Sequence, residues 1–372
     1  MDKKKSLIER AESKAGLRVQ LYRFVPKQVF RRTGYPISKV RTGSISLQVT
    51  RYLEDESLTL CIAMHTYIGL LLKISGPHFE WDEASQSAKV SALGARLLLC
   101  ADLFDEYLGS LAPLDWNDGH IYLHSAYVNL FRATVIVAVD KVRLRQGLDY
   151  VDGRRLEKAD VELLNRAAQA ALRWISRPNS CQVNRRLYVE WKKTERSIDQ
   201  YIDGLSSQTS QAVTVLVKLD THQGYLYAPK EPLPELYQAV GPYVELFKIA
   251  ASFIAQLKKV FPEALLGYLV KVTQSKEGKP QCVVLFSFAF ASGPASWETL
   301  LQAFEVDFNN KRVRKLSPPI RLDVMDLTEI LKKQPGPYVN HVRTLVNDFF
   351  VKELRYRRLN LPMKRRSWSR AA

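Results

Sequence analysis

The hydrophobic period of this chain changes once, at the polar break of residues 206–211 (SSQTSQ), and that change constrains the fold most. Before it, apolar residues recur at three- and four-residue spacing, the mark of amphipathic helices; after it, β-branched runs set in, the mark of buried strands. A chain of 372 residues exceeds one ordinary hydrophobic core. The break therefore reads as a domain boundary, with a mainly helical domain over residues 42–205 and an α+β domain over residues 206–354. A basic leader (1–41) and a basic tail (355–372) flank them.

In the first half, residues 96–111, 159–175 and 185–205 read as helices. The second of these has a start signal at Asp160 and stops before Pro178. Residues 121–144 mix a helical period with the β-branched run 134–139, so helix and strand both remain open there. The apolar stretch 58–74 (LTLCIAMHTYIGLLLKI) is interrupted by His65, Thr66, Gly69 and Lys73 and is shorter than the ~20 apolar residues a spanning helix needs. It reads as a buried core helix, and no membrane partner is expected.

After the break come a strand (212–220), a long helical pattern (233–261) interrupted near Gly241-Pro242, and two strands (266–273 and 282–290) joined by a turn-rich segment. A helix (297–309), the Pro-rich segment 317–320 and two helices (327–333 and 339–353) follow. Strand, helix, strand, strand, helix is the order of an RRM-like or ferredoxin-like antiparallel sheet. Helices on one face would leave the other free for a ligand.

Charge points to the partner. Residues 1–41 carry twelve Lys/Arg against three acids, net +9, and residues 355–370 carry seven basic residues and no acid, net +7. Of the +17 total, only +1 remains for the long middle. A near-neutral body with two basic ends suits a polyanion, and Tyr356 and Trp368 between the tail arginines suit base stacking on top of phosphate contact. The four cysteines (Cys61, Cys100, Cys181, Cys282) stand far apart, which speaks against a zinc site and a disulfide framework and points to a reducing cytoplasm. The polar N-terminus MDKKKSLIER does not read as a secretory signal. Nucleotide-binding glycine loops and HExxH are absent, so nucleotide hydrolysis and zinc peptidase chemistry find no support.

A family resemblance rests on order and spacing over residues 184–370. Val217-Lys218-Leu219-Asp220 sits at a strand end. Phe261-Pro262 precedes Leu266-Gly267-Tyr268. The segment 277–286 (EGKPQCVVLF) runs from a turn into an apolar strand, Phe349-Phe350-Val351-Lys352 lies near the end, and Arg366-Ser367-Trp368-Ser369-Arg370 closes the chain. This layout resembles the inovirus-type replication initiator family (the YagK/YfjJ C-terminal domain group), related to the HUH rolling-circle initiators. The resemblance implies a protein of phage or mobile-element origin with two strand histidines holding a divalent metal and a tyrosine nucleophile. Here the ligand positions are Pro280 and Cys282, and the nucleophile position is Phe349. Neither proline nor a lone cysteine suits Mg²⁺ or Mn²⁺, and phenylalanine has no hydroxyl.

The expectation is thus a cytoplasmic DNA-binding protein that keeps the scaffold without the nicking site. It would need no cofactor and would bind origin-like, hairpin or single-stranded DNA. Lys218, Lys352, Arg355, Arg357, Arg358, Lys364, Arg365, Arg366, Trp368 and Arg370 are the candidate contacts. Two alternatives stand beside it. One is an active nicking enzyme using Mg²⁺ or Mn²⁺ and another tyrosine, Tyr338 or Tyr356; the other is an RNA-binding RRM-like module, although its strands lack the paired aromatics. His222 and His341 read as surface residues, and Asp220 as a cap, a turn residue or a leftover acidic ligand.

Overall fold

The computed structural model describes residues 25, 27–35, 56–104, 122–177, 181–208, 212–221, 240–274, 279–289, 297–313, 319–333, 336–359 and 368–371. In the first half, α1 (Lys27–Thr33) and α2 (Glu56–Leu71) precede a hairpin of β1 (Phe79–Asp82) and β2 (Ser87–Val90). Then come α3 (Ala92–Asp102), the short β3 (Tyr122–His124), and α4 (Ala126–Phe131). A wider π turn (Arg132–Ile136) runs α4 on into α5 (Val137–Gln146), and α6 (Lys158–Ile175) follows. The run 134–139 is therefore helical throughout. Val135, Ile136 and Val139 are buried, and the Thr134 hydroxyl donates back to the Leu130 carbonyl (2.8 Å), so packing overrides β-propensity. At the start of α6 the cap is Glu157, and Asp160 three residues on returns the hydrogen bond, a reciprocal capping box. The apolar α2 is core: Leu60, Met64, Tyr67 and Ile68 are sealed from solvent. Among the described residues no helix is long and apolar enough to cross a membrane.

The second half begins with α7 (Cys181–Gln208), a helix of 28 residues. The boundary expected at 205/206 thus falls inside a helix. α7 buries Ile198, Tyr201 and Ile202 against the sheet and so packs with the second half. Next come β4 (Ala212–Thr221), α8 (Gly241–Val260), β5 (Leu265–Gln274), β6 (Pro280–Ala289), α9 (Trp297–Val313) and β7 (Ile320–Asp326). The chain continues with α10 (Thr328–Lys332), α11 (Tyr338–Val346), a π turn (Asn347–Val351), a 3-10 turn (Lys352–Arg355), β8 (Arg357–Leu359) and β9 (Trp368–Ala371). Pro242 sits in the first turn of α8, where a missing N–H costs nothing.

The molecule is α+β, as expected. Its main sheet has five strands in the order β7-β4-β6-β5-β9, every neighbour antiparallel. The strand-helix-strand-strand-helix order of the second half is present, with β7 as a fourth strand that the sequence reading had not marked. The cover of the sheet departs from expectation. Val215, Val217, Val284 and Phe286 face α8 and α9, while their alternating neighbours Leu216, Leu269, Val283 and Leu285 face α7, α10 and α11. The second face was expected to stand open and is instead buried, because β4, β5 and β6 are apolar on both sides and each side needs a layer.

The described parts of the basic tail pair with the rest of the fold. β8 pairs with β3 of the helical half, Leu123 opposite Arg358, and β9 pairs with the edge of β5, Lys271 opposite Trp368.

Candidate nucleic-acid interface

The seam between the two halves is fastened from both sides at the end of the last helix. On the sheet side, Lys271 of β5 forms a buried ion pair with Glu353 and also donates to the Phe349 carbonyl (3.0 Å). On the other side, Tyr356 is buried in the helical core, edge-on to the His65 ring (5.1 Å, 88°), and its carbonyl accepts from the Ser125 N–H (2.8 Å). Ser125 also caps α4 and meets the His65 Nδ1 at 3.1 Å. Between these two anchors stands Arg355.

The Arg355 guanidinium lies 5.2 Å from the centre of the Trp191 ring and 5.6 Å from that of Tyr356. Trp191 belongs to the first half of α7. One turn earlier, Tyr188 packs against it at 5.3 Å and 60°. One residue later, the Lys192 ammonium lies 4.1 Å over the same ring. Positions i, i+3 and i+4 of a helix share a face, so the spacing builds the cluster. Tyr188 is 48% exposed, Trp191 is part-exposed, and Arg185, Lys193 and Arg196 on the same helix are exposed. The result is two adjoining aromatic rings with two cations against Trp191, of which Lys192 is also ion-paired with Glu195 (2.5 Å), at the point from which β8 continues. Such a surface can stack an unpaired base on its rings and neutralise the adjoining phosphates.

The candidate residues divide. Arg355 belongs to this cluster, and the backbone of Arg357 and Arg358 follows it directly on β8. Trp368 and Arg370 lie on β9 at the far edge of the sheet. Lys218, on β4, is mostly buried and faces Asp323 of β7 at 3.8 Å, so it is engaged within the sheet. Lys352 is half-buried; burial holds its ammonium below the ordinary range, with the Asp348 carboxylate working against that shift. Lys364, Arg365, Arg366 and His222 lie outside the described residues. In the leader, Arg32 is committed internally: its Nε donates to Asp102 (3.0 Å) and its guanidinium lies 4.1 Å over Tyr150.

The positions that the resemblance assigns to metal and nucleophile do not converge. Cys282 is fully buried under α8 and α9, where burial pushes its thiol far up; Pro280, two residues before it, shares that face of β6. Phe349 packs against the opposite face with α11. Of the alternative tyrosines, Tyr356 is sealed in the helical core, and the Tyr338 hydroxyl is tied to Thr214. Burial raises both phenols. Asp220 pairs in register with Arg321, and His341 is half-buried beside Gly336 rather than on a solvated face. Among the described residues, no cluster of three or more His, Cys, Asp or Glu could hold a metal ion.

Tyr188, Trp191 and Lys192 escaped the sequence reading. Their signal was there, as an aromatic pair one turn apart followed by lysines in a helix marked only by its mixed charges. The partner, Arg355, lies 164 residues away in the chain and was not legible as one. Comparison with known proteins finds no matching family model, no matching curated protein and no matching solved structure.

Proposed function

We propose that this protein binds single-stranded or hairpin DNA without cutting it. The observation that carries the reading is the exposed Tyr188 packed on the part-exposed Trp191, with Arg355 and Lys192 against the Trp191 ring where the basic tail leaves the last helix. Aromatic rings supply sequence-tolerant stacking, and the tail supplies phosphate contacts. The choice of DNA over other polyanions rests on the resemblance to replication initiators. Separation of Cys282 from Phe349 by the thickness of the sheet supports binding without nicking, and the buried second face speaks against RNA recognition on an open sheet. The buried thiols of Cys61, Cys100 and Cys282, none of them in a disulfide, suit work in a reducing cytoplasm.

The test is anisotropy of a labelled single-stranded oligonucleotide and its duplex over a salt series. Tighter binding to the single strand is expected, and Trp191→Ala should weaken it by about 5- to 150-fold, the equivalent of one lost stack of ~1–3 kcal/mol. Equal binding by parent and variant would overturn the proposal. Incubation with Mn²⁺ and single-stranded DNA should yield no tyrosine–DNA adduct.

A further inference from the structure

Between α7, α11 and the second face of the sheet lies a cleft of about 260 Å³. Leu205, Leu269, Val342 and Val346 give it apolar walls, and among the described residues no charged side chain lines it. A bulge in β5 between Leu265 and Gly267 shapes one side. A Cβ at position 267 would collide with the Tyr201 hydroxyl, so the glycine lets that ring lie against the strand. There the Tyr201 hydroxyl accepts from the Tyr268 N–H (2.7 Å) and donates to the Tyr268 carbonyl (3.1 Å). Thr214 and Tyr338 are bonded to each other. The Ser287 hydroxyl, which also lines the cleft, has no hydrogen-bond partner among the described residues.

These features define a ligand. A cavity of ~150 Å³ takes benzene, so this one has room for about two rings. An ion would lose its hydration against walls that offer no counter-charge. We infer that the cleft is a binding site for a small neutral molecule, largely apolar, with one hydroxyl or carbonyl placed to meet Ser287. This site is separate from the Trp191 surface, and its occupant would bridge two helices and the sheet.

The full-length chain titrated with 1-naphthol tests it, by ligand fluorescence and by the melting midpoint. Saturable uptake of one equivalent per chain is expected, with a midpoint that climbs as the probe concentration rises. Ser287→Ala should weaken binding by about fivefold, the loss of one hydrogen bond. Val342→Phe, which fills the cleft, should weaken it at least ~10-fold while circular dichroism stays unchanged. If Val342→Phe does not fold, Ser287→Ala decides alone. Non-saturable uptake, equal binding by parent and Ser287→Ala, or 1-naphthoate binding as tightly as 1-naphthol would each overturn the inference.

Discussion

Glu353 and Lys271 are both almost sealed from solvent, at 3% and 7% exposure, so each charge depends on the other. Glu353→Ala should cost about 3–5 kcal/mol in urea denaturation, because it strands a buried ammonium. Lys271→Met combined with Glu353→Leu should recover most of that loss. Two histidines of the helical half set its response to acid. His65 lies between the Tyr127 and Tyr356 rings and is held down to about 3 by burial first and by Arg355 second; His78 is held to about 4 by burial. In the unfolded chain both titrate near ~6.5. Between those values the unfolded state binds more protons, so this stability is complete above ~6.5 and is lost as pH falls toward the folded values. Urea midpoints at pH 7.5 and 5 should show the drop, and His65→Gln should reduce it.

Among the elements, the helices were the most legible. Residues 159–175 and 185–205 lie within α6 and α7, because a 3.6-residue apolar period survives any choice of packing partner. The strands that went unmarked are short or half-exposed: β1, β2, β3, β7, β8 and β9. β7 (IRLDVMD) does alternate, but its charged outward positions hide a strand that a neighbour completes. β9 matters because it covers the edge of β5. Truncation after residue 359 should lower stability and promote self-association by baring that edge, readable as a concentration-dependent sedimentation coefficient. Lys364→Gln, Arg365→Gln and Arg366→Gln together should leave the melting midpoint in place. They should flatten the salt dependence of single-strand binding by about 2 in log–log slope if all three contact phosphate. The two variants separate the tail's structural role from its charge.

At the scale of the whole molecule, the last residues stitch the halves together. A protease site introduced between Ile175 and Cys181 should yield two fragments on a denaturing gel that still co-elute natively, held by β3–β8 pairing and by Tyr356 in the helical core. Separate elution would show that this seam is weak. By itself the sequence determined the class of structure, since the apolar period and its change at 206–211 depend only on neighbouring residues. It also placed the charge at the ends. What covers each face of the sheet, where Arg355 meets Trp191, and whether Cys282 and Phe349 face one another were decided by tertiary structure alone. Each depends on contacts between residues far apart in the chain, and a local pattern records that a face is apolar without recording what will bury it.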